Sequence, residues 1–340
     1  MLCRDTLPKC LPETDLYNTQ YLRYVQIPMG LTELFTRNLN RVKRGEIQEL
    51  LFEGGYELYS ASWRLGKLLP IDETNIFDRD WDVLVILDGC RVDLMHEIKS
   101  EYEFLSDINE ITSTGSMSLE WMENTFSNAP SQELASTAYV TSNLFSRDVC
   151  DDEMFSCLEE VWRYGWDDEL NTIPARPVTD KAIEVMRSDS PERMIVHYMQ
   201  PHHPFIGENE SLPSFNPDPF GRDNNGIAEA RTAWDALRRG ELTYEAVWQA
   251  YKENLRYVLE DVSILRENIR ADKLAITADH GNAVGEWGIY DHPIGFPHPA
   301  VKNVPWVETT AKDEHTYEPS ITEQTSSRSI DERLSALGYK

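Results

Sequence analysis

At 340 residues, 41% of them hydrophobic and 10% aromatic, the chain is long enough to bury one large core or two ordinary ones, which excludes disorder as its default state. Its 59 acidic against 32 basic side chains leave a formal net charge of −27. A surface so acidic excludes nucleic acid and anionic membranes as main partners, because both need basic patches.

Arg outnumbers Lys by 22 to 10. Acidic, Lys-poor composition is a lever of halophilic proteins, so a salt-rich cytoplasm of the halophilic archaeal kind is the expectation. No window reaches the roughly 18 apolar residues of a membrane span. Met1 to Lys9 has no apolar signal core, so the expected location is cytoplasmic, without stable membrane insertion. The five cysteines, Cys3, Cys10, Cys90, Cys150 and Cys157, are odd in number and contain no C-x-x-C pair, which points to reduced thiols.

In chain order, Leu31 to about Leu69 has apolar residues at helical spacing, until Pro70 and Asp72 break the pattern. Val83 to Leu87 is a continuous apolar run ending at Asp88-Gly89, as a strand buried on both faces reads. A second run, Met194 to Met199, ends at Gln200-Pro201, and a third, Leu274 to Ala278, ends at Asp279-His280-Gly281. Glu208 to Arg239 is rich in Asn, Asp, Pro and Gly and reads as a long loop or lid. Tyr244 to Ile269 carries the clearest helical stripe in the chain. The tail from Asp313 to about Ser327 is polar, and a short helix is predicted over 331–337.

Strand, helix, strand implies a parallel sheet with helical crossovers. In such α/β sheets ligands bind outside the carboxyl ends of the strands, so Asp88, His202 and Asp279-His280 should meet at one edge. Asp279 and His280, at a strand end followed by a glycine turn, can reach one divalent cation together, or they form a turn with a solvated histidine. Asp88 can ligate the same ion or cap a helix, and Arg91 can pair with Asp93 or with an anionic substrate. His197, inside its strand, reads as a satisfied core histidine.

Taken together, Asp88-x-x-Arg91-x-Asp93, then Pro201-His202-His203-Pro204-Phe205, then Thr277-Ala278-Asp279-His280-Gly281-Asn282 resemble the sulfatase branch of the alkaline phosphatase superfamily over roughly residues 80–306. The resemblance implies an alkaline-phosphatase-like α/β fold in three layers, with a mostly parallel central sheet flanked by helices. It also implies a divalent metal (Ca, Mn, Zn or Mg) on Asp88, Asp279 and His280. The expected activity is hydrolysis of sulfate or phosphate esters of an anionic small molecule, carbohydrate or lipid. A phosphoglycerol or phospho-group transferase of surface polysaccharide or lipid metabolism, and an inactive interaction module, are the alternatives. The expected division is a helical extension at 1–79 and a tail with a short helix at 311–340, both outside the resemblance, around a catalytic domain at 80–310. Oligomeric state is left open.

The formylglycine motif of sulfatases is absent. Thr112-Ser113-Thr114-Gly115-Ser116-Met117-Ser118 stands where the nucleophile belongs. Phosphatase and phosphoglycerol-transferase members use an unmodified Ser or Thr there, at the start of a helix. Ser116 is the first choice, with Ser118 and Thr114 behind it, because a helix N-terminus and a metal both favour an alkoxide. Match to the family's Pro-His-x-Pro points to His202 as the contact to substrate anion or leaving group. His292 follows where relatives often place another histidine, and metal and substrate are equal readings for it. Lys302 reads as an anion contact or a solvated loop lysine, and His298 beside it is assigned no role.

Overall fold

The computed structural model describes residues 47–68, 70–206, 232–321, 326 and 328–339. Two compact units are present, Met1–Tyr59 with Lys340, and Ser60–Tyr339. Everything functional below lies in the second.

Nine strands occur among the described residues: β1 (Val83–Leu87), β2 (Ile108–Thr112), β3 (Thr137–Thr141), β4 (Cys157–Glu160), β5 (Arg193–Tyr198), β6 (Ala271–Thr277), β7 (Ala283–Val284), β8 (Tyr290–Asp291) and β9 (Asn303–Ala311). The helices used below are α1 (Ile47–Ser62), α2 (Val92–Ile98), α3 (Ser118–Ser127), α4 (Ala175–Asp189), α5 (Ala233–Arg239), α6 (Tyr244–Asn268) and α7 (Ile330–Ala336). Seven strands form one sheet in the order β2-β9-β6-β1-β5-β3-β4, in which β9 runs antiparallel to both its neighbours. β7 and β8 form a separate antiparallel pair.

All five residues of β1 are fully buried, so a layer covers each face of the sheet. β5 shows how the two layers arise, because successive side chains point to opposite faces. His197 packs edge-on against Trp121 of α3, whereas the hydroxyl of Tyr198 meets that of Thr179 in α4, 2.8 Å away. The result is a three-layer α/β fold with a mostly parallel sheet at its centre.

β1 and the strands predicted beside it lie within three residues of their expected bounds. Parallel pairing of β1 with β5 and with β6 sets their carboxyl ends side by side. α6 runs 25 residues from Thr243, whose side chain accepts the Ala246 N–H. The predicted helix from Leu31 falls on the described residues only as α1, followed by a 3-10 stretch at Trp63–Leu68. The long loop expected over Glu208 to Arg239 needs correction at its end, the part before residue 232 being outside the described residues. Thr232 accepts the Asp235 N–H, Gly240 closes the helix in the left-handed region, and buried Ala233, Trp234 and Ala236 hold α5 between them. Cys90, Cys150 and Cys157 are free thiols.

Candidate functional site

Four strand ends converge. Asp88 follows β1, Asn143 lies two residues beyond β3, His202 lies in the loop after β5, and Asp279-His280 follow β6. The chain can turn there because Gly89 has φ +68°, where a Cβ would come within 2.7 Å of the Asn282 Nδ2. The Gly89 N–H donates to Asp279 Oδ1 at 3.0 Å, and the His280 N–H donates to the same oxygen at 2.9 Å. On Asp88, Oδ2 accepts from Asn143 Nδ2 at 2.8 Å and from the Ser118 hydroxyl at 3.1 Å.

The second oxygen of each carboxylate, Asp88 Oδ1 and Asp279 Oδ2, is buried without a hydrogen-bond partner among the described residues. His280 donates from Nδ1 to the Gly281 carbonyl, which leaves the Nε2 lone pair 3.5 Å from each of those oxygens. Burial pushes the His280 imidazole down to about 3, so it is neutral near pH 7. Burial first, and Asp279 second, raise the Asp88 carboxyl well above its ordinary range. Two inward carboxylate oxygens without a donor, and an imidazole nitrogen with only a hydroxyl 3.4 Å away, are the donor set of a hard or borderline divalent cation. Asp88, Asp279 and His280 therefore fit the expected metal.

Ser118 is the first residue of α3, and its hydroxyl lies 3.1 Å from Asp88 Oδ2 and 3.4 Å from His280 Nε2. Ser116, the first choice from the sequence, is held by other groups. The Ser116 hydroxyl donates to Glu120 Oε2 at 2.6 Å and accepts the Gly295 N–H at 2.7 Å, so it ties α3 to the 293–295 loop. Arg91 is held likewise. It grips both Asp93 oxygens, at 2.8 and 2.6 Å, while Nη1 donates to the Asn282 carbonyl and to Glu286 Oε1. These hydrogen bonds join the loops after β1 and β6. Lys302 is buried against Glu73, 2.8 Å away, and His298 accepts the Ala300 N–H as the cap of a short helix.

His202 and His292 do meet. His202 donates from Nδ1 to the His203 carbonyl at 2.6 Å, so its Nε2 accepts, and His292 Nε2 lies 3.0 Å from it. The His292 ring stands 4.3 Å, centre to centre, from that of His280. Burial, then His292, lowers His202 to about 4, and burial, then His280, lowers His292 as well.

Four participants escaped the sequence reading. Asp291 lies 3.1 Å from His292 Nε2, and burial pushes its carboxyl up to about 6. His197, expected as a core residue, points Nε2 at both carboxylates, 3.9 Å from Asp88 and 3.8 Å from Asp279. Asn143 had one available signal, a polar residue just past a short β-branched strand. The fourth, Tyr339, had none in the sequence: its hydroxyl is 3.2 Å from that of Ser118.

No protein-family model matches the sequence, and no curated protein matches it. Solved structures similar to it belong to the sulfatase and alkaline phosphatase superfamily. The soluble domain of lipooligosaccharide phosphoethanolamine transferase A from Neisseria meningitidis aligns with 14% identity and a TM-score of 0.46, over 68% of this chain and 77% of that one. A protein solved with its substrate D-glucosamine-2-N,6-O-disulfate aligns with 13% identity and a TM-score of 0.43, over 68% and 71%. An alkaline phosphatase superfamily protein from Vibrio parahaemolyticus aligns with 12% identity and a TM-score of 0.36, over 69% and 61%. No described helix is long and apolar enough to cross a membrane.

Proposed function

We propose that this chain is a metal-dependent hydrolase of phosphate or sulfate esters in the sulfatase branch of the alkaline phosphatase superfamily, with Ser118 as its nucleophile. One observation carries the reading. Asp88 Oδ1 and Asp279 Oδ2 are buried and unpartnered, 3.5 Å from the His280 lone pair, with a serine hydroxyl 3.1 Å from the other Asp88 oxygen. The motif resemblance supports it independently.

Asp88, Asp279 and His280 would hold the cation, with His197 beside them. When bound, it supplies positive charge that favours the Ser118 alkoxide and the oxyanion of the ester. Ser118 presents its hydroxyl from the first turn of α3, where N–H groups without intrahelical partners also favour developing negative charge. In the transfer step the Ser118 proton passes to its acceptor Asp88 Oδ2, a bond forms between Ser118 Oγ and phosphorus or sulfur, and the ester oxygen departs in line. His202 and His292 sit on the flank of that position. Both are neutral in the closed site, and an anion beside them raises their proton affinity again, so the pair can hold the substrate's oxygens and protonate the departing one. Water, or another hydroxyl, then takes the group from Ser118.

An unmodified serine suits phosphoryl better than sulfuryl chemistry, because it lacks the gem-diol by which formylglycine expels sulfate. The substrate is an anion in either case, so against a net charge of −27 the attraction must be local. The test is turnover of aryl phosphate, phosphodiester and aryl sulfate with added Mn, Zn, Mg or Ca, in the presence and absence of an alcohol acceptor. Ser118→Ala should abolish metal-dependent turnover, whereas Ser116→Ala should lose stability and keep turnover. Persistence of turnover in Ser118→Ala would sink the assignment. Transfer of the group to the alcohol in preference to water would make the enzyme a transferase.

A further inference from the structure

The helix α7 has both its ends fixed by its own sequence. Ser329 and Glu332 form a reciprocal capping box at the start. At the other end the Tyr339 N–H donates to the Leu334 carbonyl at 2.9 Å and the Gly338 N–H to that of Ser335 at 3.1 Å. That pair of bonds is a Schellman closure, and it requires the left-handed conformation that Gly338 adopts at φ +85°. Leu334, Ala336 and Leu337 are buried, and Arg333 donates to the Trp162 carbonyl at 2.9 Å, so the helix is docked. The reversal at Gly338 then sends Tyr339 inward.

Its ring lies nearly parallel to that of His202, 5.2 Å away at 16°, and edge-on to Phe145 at 4.8 Å. Its hydroxyl is 3.2 Å from the Ser118 hydroxyl and 3.5 Å from Asp88 Oδ2. A nucleophile needs the atom it attacks at about 3–3.5 Å. The phenol oxygen is therefore where a phosphoryl or sulfuryl group has to stand, and Ser118, Asp88, Asp279 and His280 are all fully buried behind it.

We propose that Tyr339 is a plug supplied by the chain itself: it occupies the substrate's place against Ser118 and His202, and turnover requires it to swing out about Gly338. The inference rests on Ser118 as the site of reaction. Closure and an anionic ester are then mutually exclusive, so the apparent affinity for any anion at the site falls in proportion to the closed fraction.

The experiment uses the full, metal-loaded chain and inorganic phosphate as the probe, with affinity read by calorimetry. Tyr339→Ala should bind phosphate about tenfold more tightly or better, and Tyr339→Phe, which keeps the ring on His202 but loses the oxygen that stands against Ser118, should bind it no more weakly than the parent. In the parent, saturating phosphate should speed hydrogen exchange at the Gly338 and Tyr339 amides. Weaker phosphate binding in both variants would overturn the proposal, because the hydroxyl would then be holding the anion. Unchanged affinity in Tyr339→Ala, or no phosphate binding in any form, overturns it equally. If Tyr339→Ala does not fold, the exchange measurement on the parent decides, and exchange unaffected by phosphate refutes the plug. Tighter phosphate binding in Tyr339→Ala without turnover of any ester upholds the plug and removes the hydrolase reading. Ester turnover with affinity unmoved does the reverse.

Discussion

Replacing Asp279 by Asn separates a cation site from a purely structural pair of carboxylates. Asp279 Oδ1 accepts the Gly89 and His280 N–H groups, and an asparagine oxygen keeps both bonds. Only the unpartnered Oδ2 changes, from an acceptor to an amide nitrogen able to donate to Asp88 Oδ1, which also lacks a partner. Asp88 and Asp279 each bring a carboxylate oxygen within 4.8 Å of the other's. At an effective dielectric of about 20, two unit charges at that separation repel by about 3.5 kcal/mol. Asp88 already relieves part of this by holding a proton more tightly, since burial and Asp279 raise its carboxyl. In chelator, near neutral pH, Asp279→Asn should therefore be more stable than the parent by about 1–3 kcal/mol. With a divalent cation at about a hundred times its Kd, the parent should gain about 2.7 kcal/mol and the variant very little, so their order reverses or closes up. Urea unfolding followed by circular dichroism, with and without Mn or Zn, measures both. A variant that is destabilised in chelator and by the same amount in metal would refute the cation site, because Asp279 would then serve hydrogen bonding alone.

Arg91→Ala should cost about 3–5 kcal/mol, since it removes the cation paired with Glu286, leaves the Asn282 carbonyl without its Arg91 donor, and uncouples the loops after β1 and β6. Phosphate affinity per folded molecule should stay unchanged, and a selective loss of anion binding without loss of stability would restore Arg91 to the substrate. Glu120 supplies a pH-dependent prediction. Burial alone would raise its carboxyl, but Lys67 at 2.8 Å and the Ser116 donors outweigh it and hold it below the ordinary glutamate range. A depressed carboxyl adds stability above the unfolded value of about 4.3 and loses it as the pH falls through the folded value. Parent and Glu120→Gln urea midpoints should differ near neutrality and converge in acid. A difference that holds constant down to low pH would show that charge on Glu120 is irrelevant.

Much of the sheet was legible because its central strands carry no polar face. Val83 to Leu87, Met194 to Met199 and Leu274 to Ala278 could be strands buried on both sides and little else, and the polar groups at their carboxyl ends could then meet at only one edge. Asp88, Asp279, His280 and His202 are found there for that reason. β3 escaped because Thr137 and Thr141 break its apolar run, and Asn143 was lost with it. α5 escaped because its caps, Thr232 and Gly240, sit in a stretch whose composition reads as loop.

The sequence by itself determined which chemical groups are present, the strands that carry most of them, and the local signals that open α6 and close α7 at Gly338. Tertiary structure decided what each polar group faces. Ser116 and Ser118 are two residues apart at a helix start, and local rules favour either, yet one is claimed by Glu120 and the 293–295 loop while the other turns to Asp88. Arg91 had two possible partners in sequence, and the approach of Asn282 and Glu286 from the far strand chose for it. His197 and Tyr339 joined the cluster through parallel pairing and helix docking, contacts between residues more than a hundred positions apart. Local propensity is encoded over a few neighbouring residues, whereas the partner of a buried polar group is set by whichever distant segment the packed core brings beside it.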